Sequence, residues 1–426
     1  MKRRMSIKWL YNLRILICVI FCCIILSVLG YAIPVTSEMM EHMNYSSKYL
    51  LTEGDYHSIN IVYETKLDNF TDSLILCTAA YGGKETLLQK VFGNYRYYTE
   101  RDTLTEQAYS VYVDEAEDKS IISYVRYWHG YVPFIKIALH FFEYLQIRKL
   151  NLVLQILLFI IIILLLIKRK LTNYIVPYIV YWLMLNPVAL GLSLQFSPVY
   201  YVTSGATIGL LLRPQYRKPM NLVLYFAVIG IVTNWLDLLT YPIVTLGIPL
   251  AVYMLLHTEK KFKDRLTQCL IASIAWGMGW GGMWSLKWIL SSLVLHQNVF
   301  KEAMQQAQFR ASTSFNGVTW KRSDILLVNL RQLNKPFIII TFMLSLLYSG
   351  ISWWKRRTYI IKGNFETVIL LIIISLMPIA WYMILSNHSF IHNFFTYRSL
   401  GVTVFCWSCL LIPDSVNFSF PIKRKK

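Results

Sequence analysis

The chain has 426 residues, of which 56% are hydrophobic and only 15% charged, and its mean hydropathy is +0.45. A soluble protein of this length needs more polar surface, so the composition argues against a soluble enzyme, a disordered chain and a secreted disulfide-stabilised protein. The net charge of +19 would suggest nucleic-acid binding in a soluble chain, but the apolar segments explain it differently.

The apolar residues fall in blocks of about twenty, the helix length that crosses the hydrocarbon core of a bilayer. The clearest block, residues 150–167, reads LNLVLQILLFIIIILLLI and carries no charge. We therefore predict an all-α, polytopic helical membrane protein with about ten transmembrane helices, forming a single transmembrane domain over residues 1–426. The predicted spans are 14–33, 150–167, 173–192, 197–212, 220–236, 239–256, 266–286, 336–352, 365–385 and 399–413.

The basic residues fit the positive-inside rule when the N-terminus is placed in the cytoplasm. The inner segments are then 1–14, 168–172, 213–219, 257–265, 353–366 and 414–426. They hold 23 of the 42 basic residues but only four of the 23 acidic ones, so the net charge lies on the inner face. We predict a plasma-membrane protein with both termini cytoplasmic and a first span that is retained rather than cleaved.

Two long outer loops are predicted at 34–149, which contains interface helices, and at 287–335. Within the first, LDNFTDSLILCTAAYGG begins with two acids four residues apart, Asp68 and Asp72. On a helix these carboxyl groups share a face, and in a low-dielectric pocket one of them can act as a base near neutral pH. The alternative is that Asp68 caps a helix whose first turn is solvated.

The same loop continues with a polar stretch, 94–120, that we expect to be exposed, and then with an aromatic amphipathic segment, 126–151. Most aromatic residues of this segment suit a membrane-interface anchor. Arg126 and His129 are the candidates there for contact with a lipid phosphate or a sugar. In the second loop, residues 299–310 are predicted to form a short amphipathic helix.

Two shorter outer segments also carry candidate site residues. Asp237 lies at the outer end of the fifth span, where it can bind a sugar hydroxyl or cap a tight turn. The segment SNHSFIHNFFTYR contains His388, His392 and Arg398, and imidazole with guanidinium suits a phosphate or pyrophosphate. The two histidines can instead be interface residues, and a metal site would need a third ligand that is not evident.

Several functions are disfavoured by what the sequence lacks. It contains no P-loop, GxSxG or HExxH motif, and few ionisable residues fall inside the predicted spans. Ion-coupled transporters usually need buried acids or broken helices at mid-membrane. The seven cysteines lie mostly in apolar stretches, so no disulfide framework is predicted.

With these residues in view, the chain resembles the GT-C class of integral-membrane glycosyltransferases, which use polyprenyl-phosphate sugars. The shared layout is a cytoplasmic N-terminus, one span, and a long outer loop with paired acids and interface helices. The pieces LDNFTD, YWHGYVPFIK and NHSFIHNFFTYR are also similar to uncharacterised multi-pass proteins of Gram-positive bacteria. In the GT-C class the acid usually follows the first span closely, whereas Asp68 comes about 35 residues after it, which leaves the identity of the base open.

The resemblance implies transfer of a sugar from a polyprenyl-phosphate carrier to a cell-envelope glycan or lipid on the outer face. Asp72 or Asp68 would be the general base, and Arg398 with His392 would stabilise the departing phosphate. No nucleic-acid partner and no certain cofactor is implied, and a divalent metal stays possible. The alternatives are a polymerase or ligase of lipid-linked polysaccharide, a lipid or polysaccharide transporter, and a scaffold without catalysis.

Overall fold

The computed structural model of the chain describes residues 2–60, 64–212, 219–258, 260–355 and 365–411. It is 76% helical with almost no sheet, which confirms the all-α prediction. The strands that it describes form two-stranded antiparallel sheets. The predicted inner segments 213–219, 353–366 and 414–426 lie wholly or mostly outside the described residues.

Residues 2–168 form one long helix, a folded layer and a second long helix. We call the layer, residues 34–143, the outer layer after the predicted outer loop. Its elements are α1 (Lys2–Ala32), α2 (Ser37–Glu53), β1 (Ser58–Asn60), β2 (Glu64–Lys66), α3 (Asn69–Ala79), α4 (Leu87–Gly93), β3 (Arg96–Tyr98), α5 (Leu104–Tyr112), β4 (Ser120–Ile122), α6 (Val132–Phe141) and α7 (Tyr144–Lys168). Strand β1 pairs with β2, and β3 pairs with β4.

The predicted first outer loop, 34–149, is therefore a packed helical layer, and the prediction that 94–120 is an exposed stretch is wrong for α5. This helix begins with a capping box, in which Thr103 and Glu106 satisfy each other's backbone N–H groups. Its Leu104, Ala108 and Val111 are buried. The polar residues of this segment flank a short apolar face, and that face is buried.

The aromatic segment 126–151 is not one interface helix. It divides into an irregular stretch, α6, and the start of α7, which begins at Tyr144 and continues into the predicted span 150–167. The outer layer thus ends before residue 149. Trp128 is buried and donates from Nε1 to the Met283 carbonyl at 2.7 Å, whereas Phe134 and Phe141 are exposed, as an interface position requires.

The remaining two thirds of the chain are helices with one further hairpin. In order they are a 3₁₀ turn (Thr172–Tyr174), α8 (Ile175–Met184), α9 (Pro187–Leu192), α10 (Ser197–Leu212), α11 (Pro219–Leu236), α12 (Ile243–Leu256), α13 (Phe262–Leu295), α14 (Val299–Ala311), β5 (Ser314–Phe315), β6 (Val318–Thr319), α15 (Arg322–Arg331), α16 (Pro336–Lys355), α17 (Phe365–Ser375), α18 (Met377–Ile384), α19 (Ser386–Ile391), α20 (Asn393–Thr396), a second 3₁₀ turn (Tyr397–Leu400) and α21 (Gly401–Leu411).

Four helical segments among the described residues are long and apolar enough to cross a membrane: Leu10–Ala32, Tyr144–Lys168, Phe365–Ile384 and Asn393–Leu411. A fifth is possible if α15 and the apolar part of α16, which meet at 83°, act as one bent span. The structure thus fits a membrane protein, and the prediction of about ten spans stays a prediction.

Several predicted boundaries change in the structure. The predicted span 173–192 is broken at Asn186, which adopts a left-handed backbone with φ 58° before Pro187. The predicted span 266–286 lies inside α13, which continues to Leu295, so the predicted loop 287–335 starts within this helix. The helix predicted at 299–310 is present as α14.

Two glycines explain why α11 and α13 pack so closely. A Cβ atom on Gly230 would overlap the Trp276 carbonyl oxygen, and one on Gly279 would overlap the carbonyl oxygen of Ala227. Each helix therefore offers a bare backbone patch to the other, as closely packed membrane helices often do. Trp235 of α11 and Met283 of α13 pack in one buried cluster with residues of the outer layer, so this contact connects the layer to the two helices.

Candidate functional site at the outer rim

The carboxylate of Asp72 is saturated with hydrogen bonds. It accepts from the backbone N–H groups of Leu194 and Gln195, both at 2.9 Å, and from the Tyr144 hydroxyl at 2.5 Å. The Ser193 hydroxyl lies 3.4 Å away. Burial raises the pKa of Asp72, while the charge of Arg148 acts against this rise. Asp72 therefore anchors the chain between α9 and α10, a structural task that conflicts with its predicted role as base.

Asp68 has a different environment. Its side chain caps α3 by accepting from the Thr71 N–H at 3.0 Å, and the Thr71 hydroxyl also donates to it. The residue is only 3% exposed, so its cap is buried rather than solvated. Burial raises the pKa of Asp68 to about 7, with the Thr71 N–H opposing and the Asp72 charge adding to the rise. Such a carboxyl group can exchange a proton near neutral pH.

A buried ion pair fixes the helix that carries both acids. Arg148 of α7 donates to Glu53 at the end of α2 at 2.8 Å, and it also donates to the side-chain oxygen of Asn69. The amide of Asn69 in turn donates to Glu53 at 2.9 Å. Three helices, α2, α3 and α7, are therefore clamped at one point directly beside Asp68. A site held by packed helices in this way keeps its geometry better than one on free loops.

Aromatic contacts join the Asp68 region to the predicted phosphate segment. The charge of Asp68 contributes to raising the pKa of Tyr56, to about 12, after the larger effect of burial. The Tyr56 ring packs edge-on against the Phe394 ring, with 5.7 Å between centroids. The Lys66 ammonium lies 4.6 Å from the centre of the Tyr56 ring and 4.9 Å from that of Phe394. The start of α3 and the start of α20 thus meet.

His388 and His392 share one guanidinium, that of Arg310 on α14. Nη1 of Arg310 lies 3.0 Å from Nδ1 of His388 and 3.1 Å from Nε2 of His392. Since Nε2 of His388 contacts the Leu239 carbonyl at 2.6 Å, it must carry the proton, and Nδ1 accepts. Burial lowers the pKa of His392 to about 4, with the Arg310 charge adding to the effect, so both imidazoles are neutral.

Arg398 does not reach the surface of this cluster. It is 1% exposed, and Nε donates to the Leu185 carbonyl at 2.8 Å, at the break between α8 and α9. Its guanidinium lies 4.2 Å from the centre of the Phe196 ring, the residue next to Gln195. Arg398 is therefore not placed for the predicted direct contact with a phosphate, because it is buried and its guanidinium already donates to backbone carbonyls.

Asp237 shows the geometry of its alternative interpretation, a turn cap. It accepts from the Thr240 hydroxyl at 2.6 Å and from the Thr240 N–H at 3.0 Å. Burial raises the pKa of Asp237 to about 7, and the Thr240 hydrogen bonds oppose the rise. The turn places Leu239 in a left-handed conformation, φ 67°, and aims its carbonyl at His388. Asp237 thus stabilises the turn whose Leu239 carbonyl contacts His388.

The two candidates of segment 126–151 lie at the edge of the same region. Arg126 pairs with Glu302 of α14 at 3.1 Å. His129 is 1% exposed, adopts φ 53°, and has ring contacts to the Tyr131 hydroxyl and the Tyr124 carbonyl. His129 is therefore a buried packing residue of this region. It is not placed to touch a ligand, because both ring nitrogens already have protein partners.

An apolar cavity of about 430 Å³ opens beside Asp72, between the outer layer and the long apolar helix α7. Leu194, whose N–H binds Asp72, lies in its wall. Its lining is almost wholly apolar. Two of the α7 residues in it, Leu150 and Leu154, are each 43% exposed. The lining comprises Ile75, Tyr131, Phe134, Ile135, Ala138, Ile147, Leu150, Asn151, Leu154, Leu194, Ser197, Pro198, Tyr201 and Leu236.

The sequence missed Arg310, because an arginine on an amphipathic surface helix has no signal that separates it from its neighbours. Comparison with known proteins adds no assignment: no family model, no curated protein and no solved structure matches the chain. Within the described ranges, no three or more histidine, cysteine, aspartate or glutamate side chains are grouped so that they could hold a metal ion.

Proposed function

We propose that this chain is an integral-membrane glycosyltransferase that moves a sugar from a polyprenyl-phosphate carrier to a glycan or lipid acceptor of the cell envelope. The observation that carries the proposal is the meeting of three distant outer segments. The Asp68 region reaches α20 through Tyr56 and Phe394, and the Asp237 turn reaches His388 through the Leu239 carbonyl. Asp68 and the cluster of Arg310, His388 and His392 thus lie in one region, which we call the rim.

Asp68 is the general base in this proposal. It would accept the proton of an acceptor hydroxyl while that oxygen attacks the anomeric carbon and the bond from this carbon to the phosphate oxygen breaks. Two features support Asp68 over Asp72. Its pKa is raised to about 7, and its hydrogen bonds come from Thr71 in the first turn of its own helix, whereas four groups from Tyr144 and residues 193–195 hold Asp72. A base works best when its pKa lies near the working pH.

The departing phosphate requires positive charge or N–H donors in a partly dry site, since charge develops on it as the sugar leaves. The guanidinium of Arg310, which His388 and His392 share, supplies this character. Arg398 would act indirectly, by fixing Phe196 and the turn after α8. No step of this mechanism passes through a metal ion, and each proton transfer uses a side chain of the chain itself.

The apolar cavity beside Asp72 supports a lipid-linked donor. Its wall follows α7 from Ile147 to Leu154, which is about 10 Å of helix at 1.5 Å per residue. Because Leu150 and Leu154 of this wall are each 43% exposed, a long apolar chain can reach the cavity along the apolar surface of α7. A nucleotide sugar would instead need a phosphate-cradling loop, which the sequence does not contain.

The topology belongs to the same proposal. We place about ten spans across the plasma membrane, both termini in the cytoplasm, and the Asp68 rim on the outer side. The support is the charge distribution, because the six predicted inner segments carry the whole excess of basic residues.

Analysis of envelope glycans in a strain that lacks the gene tests the proposal. We expect one sugar decoration to disappear and to return with the wild-type gene, but not with Asp68→Asn at equal membrane abundance. Accumulation of lipid-linked repeat units in the deletion strain would contradict sugar transfer and favour polymerisation or export.

A further inference from the structure

Helix α14, Val299–Ala311, crosses the rim from the first outer layer to the histidine segment, and we call it the strap helix. At one end Glu302 pairs with Arg126 of the outer layer at 3.1 Å. At the other end Arg310 contacts His388 and His392. The strap helix thus connects the two sides of the proposed site.

The guanidinium of Arg310 is only partly engaged. One nitrogen, Nη1, serves both imidazoles, and within the described part of the chain no hydrogen bond from Nε or Nη2 is found. The side chain is half-buried, so its remaining N–H groups are not sealed from a ligand. Those groups form the planar edge with which arginine binds two oxygens of a phosphate.

The surroundings leave Arg310 as the charged member of its cluster. His388 and His392 are neutral, since each presents a ring nitrogen as acceptor to the same guanidinium. Burial lowers the pKa of His388 well below its usual range, which agrees with this geometry. Two neutral imidazoles therefore position a cation without neutralising it, whereas a carboxylate in their place would cancel its charge.

We propose that Arg310 contacts the phosphate of the lipid carrier, and that the strap helix delivers it to the rim. This inference rests on the proposed function for the identity of the ligand. It assigns to Arg310 the direct contact that the sequence suggested for Arg398. The fixed orientation of its guanidinium by two imidazoles accounts for the presence of both His388 and His392.

The strap helix makes few buried contacts, which suits an element that must admit a lipid. Its buried contacts form a small separate cluster with Val125 and Trp288, made by Val299 and Ala303. The Glu302 side chain of its ion pair is 51% exposed, and such surface pairs contribute little to stability. Few buried contacts indicate a local opening that needs less energy than unfolding of the bundle.

Lipid binding to the full-length protein in nanodiscs tests the proposal without requiring sugar transfer. The probes are a polyprenyl monophosphate and the matching polyprenol, and native mass spectrometry measures their occupancy. We expect the wild type to prefer the phosphate. Arg310→Gln should weaken phosphate-lipid binding about tenfold while leaving polyprenol binding unchanged, because only the charged contact is lost. Arg322→Gln, which removes an exposed arginine of the same outer segment, should bind as the wild type does.

Arg310→Lys keeps the charge without the planar edge and should lie between Arg310→Gln and the wild type, which separates phosphate contact from a folding defect. Equal binding of the phosphate lipid by the wild type and Arg310→Gln would overturn the role of Arg310 and leave the glycosyltransferase proposal standing. If the wild type itself shows no preference for phosphate, the lipid-phosphate donor and the role of Arg310 both fail.

Discussion

The ring of Tyr56 in the first outer layer packs edge-on against the ring of Phe394, at 5.7 Å between centroids and 81° between planes. This contact brings the loop before Asp68 against the segment that carries His392. The rim exists because two segments that are distant in the sequence meet there, so the contact is a direct test of the site's geometry.

Cross-linking tests this contact. In a background without native cysteines, Tyr56→Cys combined with Phe394→Cys should form a cross-link with a short bifunctional thiol reagent. The control pair combines Tyr45→Cys, at an exposed position of α2, with Phe394→Cys. Equal cross-linking of both pairs would show that the contact is not specific.

Asp72→Ala should lower the free energy of unfolding by about 3 kcal/mol, because the buried N–H groups of Leu194 and Gln195 would lose their acceptor. Thermal unfolding in detergent measures the effect. Asp102→Ala removes an exposed acid of the same layer and should change little. A melting temperature for Asp72→Ala equal to that of the control would contradict the anchoring role.

Sugar transfer should rise with pH around an apparent pKa near 7, since the deprotonated form of Asp68 is the base. His392 has a pKa of about 4 and cannot produce this limb, because it is already neutral there. Initial rates between pH 5 and 9 measure the profile. A rate that is flat across this range would remove Asp68 as the base.

The same pKa makes a prediction about stability. In the unfolded chain the Asp68 carboxyl has its usual pKa of 3.8, whereas in the folded protein its pKa is about 7, so the native state binds more protons between these values. Asp68 therefore destabilises the fold progressively as pH rises between these values. Asp68→Asn, which can still cap α3, should raise the melting temperature at pH 8 and leave it unchanged at pH 3. An equal shift at both pH values would point to a cause other than the carboxyl charge.

Filling the apolar cavity should weaken use of a long-chain donor. Ala138→Trp places an indole in the cavity wall and should raise KM for a polyprenyl-phosphate sugar more than for a short-chain analogue. Ile137→Trp adds a similar side chain at the neighbouring position of α6, which is 50% exposed, and serves as control. Equal KM values for both variants would argue that the lipid tail lies elsewhere.

The sequence predicted what depends on local pattern. The all-α class, the helix 299–310 and the cap at Asp68 follow from apolar runs and capping residues within a few positions. It could not predict the partners of Asp72, because Leu194 and Gln195 are distant in the chain. For the same reason it could predict neither the burial of Arg398 nor the contact of Arg310 with the two histidines, since the position of a guanidinium depends on tertiary contacts.

The central claim is that Asp68 serves sugar transfer from a lipid phosphate. Lipid-linked sugars extracted from metabolically labelled membranes of the source cells can be offered to the purified protein in liposomes. We expect the wild type to release labelled sugar from its polyprenyl phosphate to an acceptor in the same extract, and Asp68→Asn to be at least a hundredfold slower, the order of effect for a lost general base. Equal rates for the two proteins, at equal folded amounts, would contradict the claim.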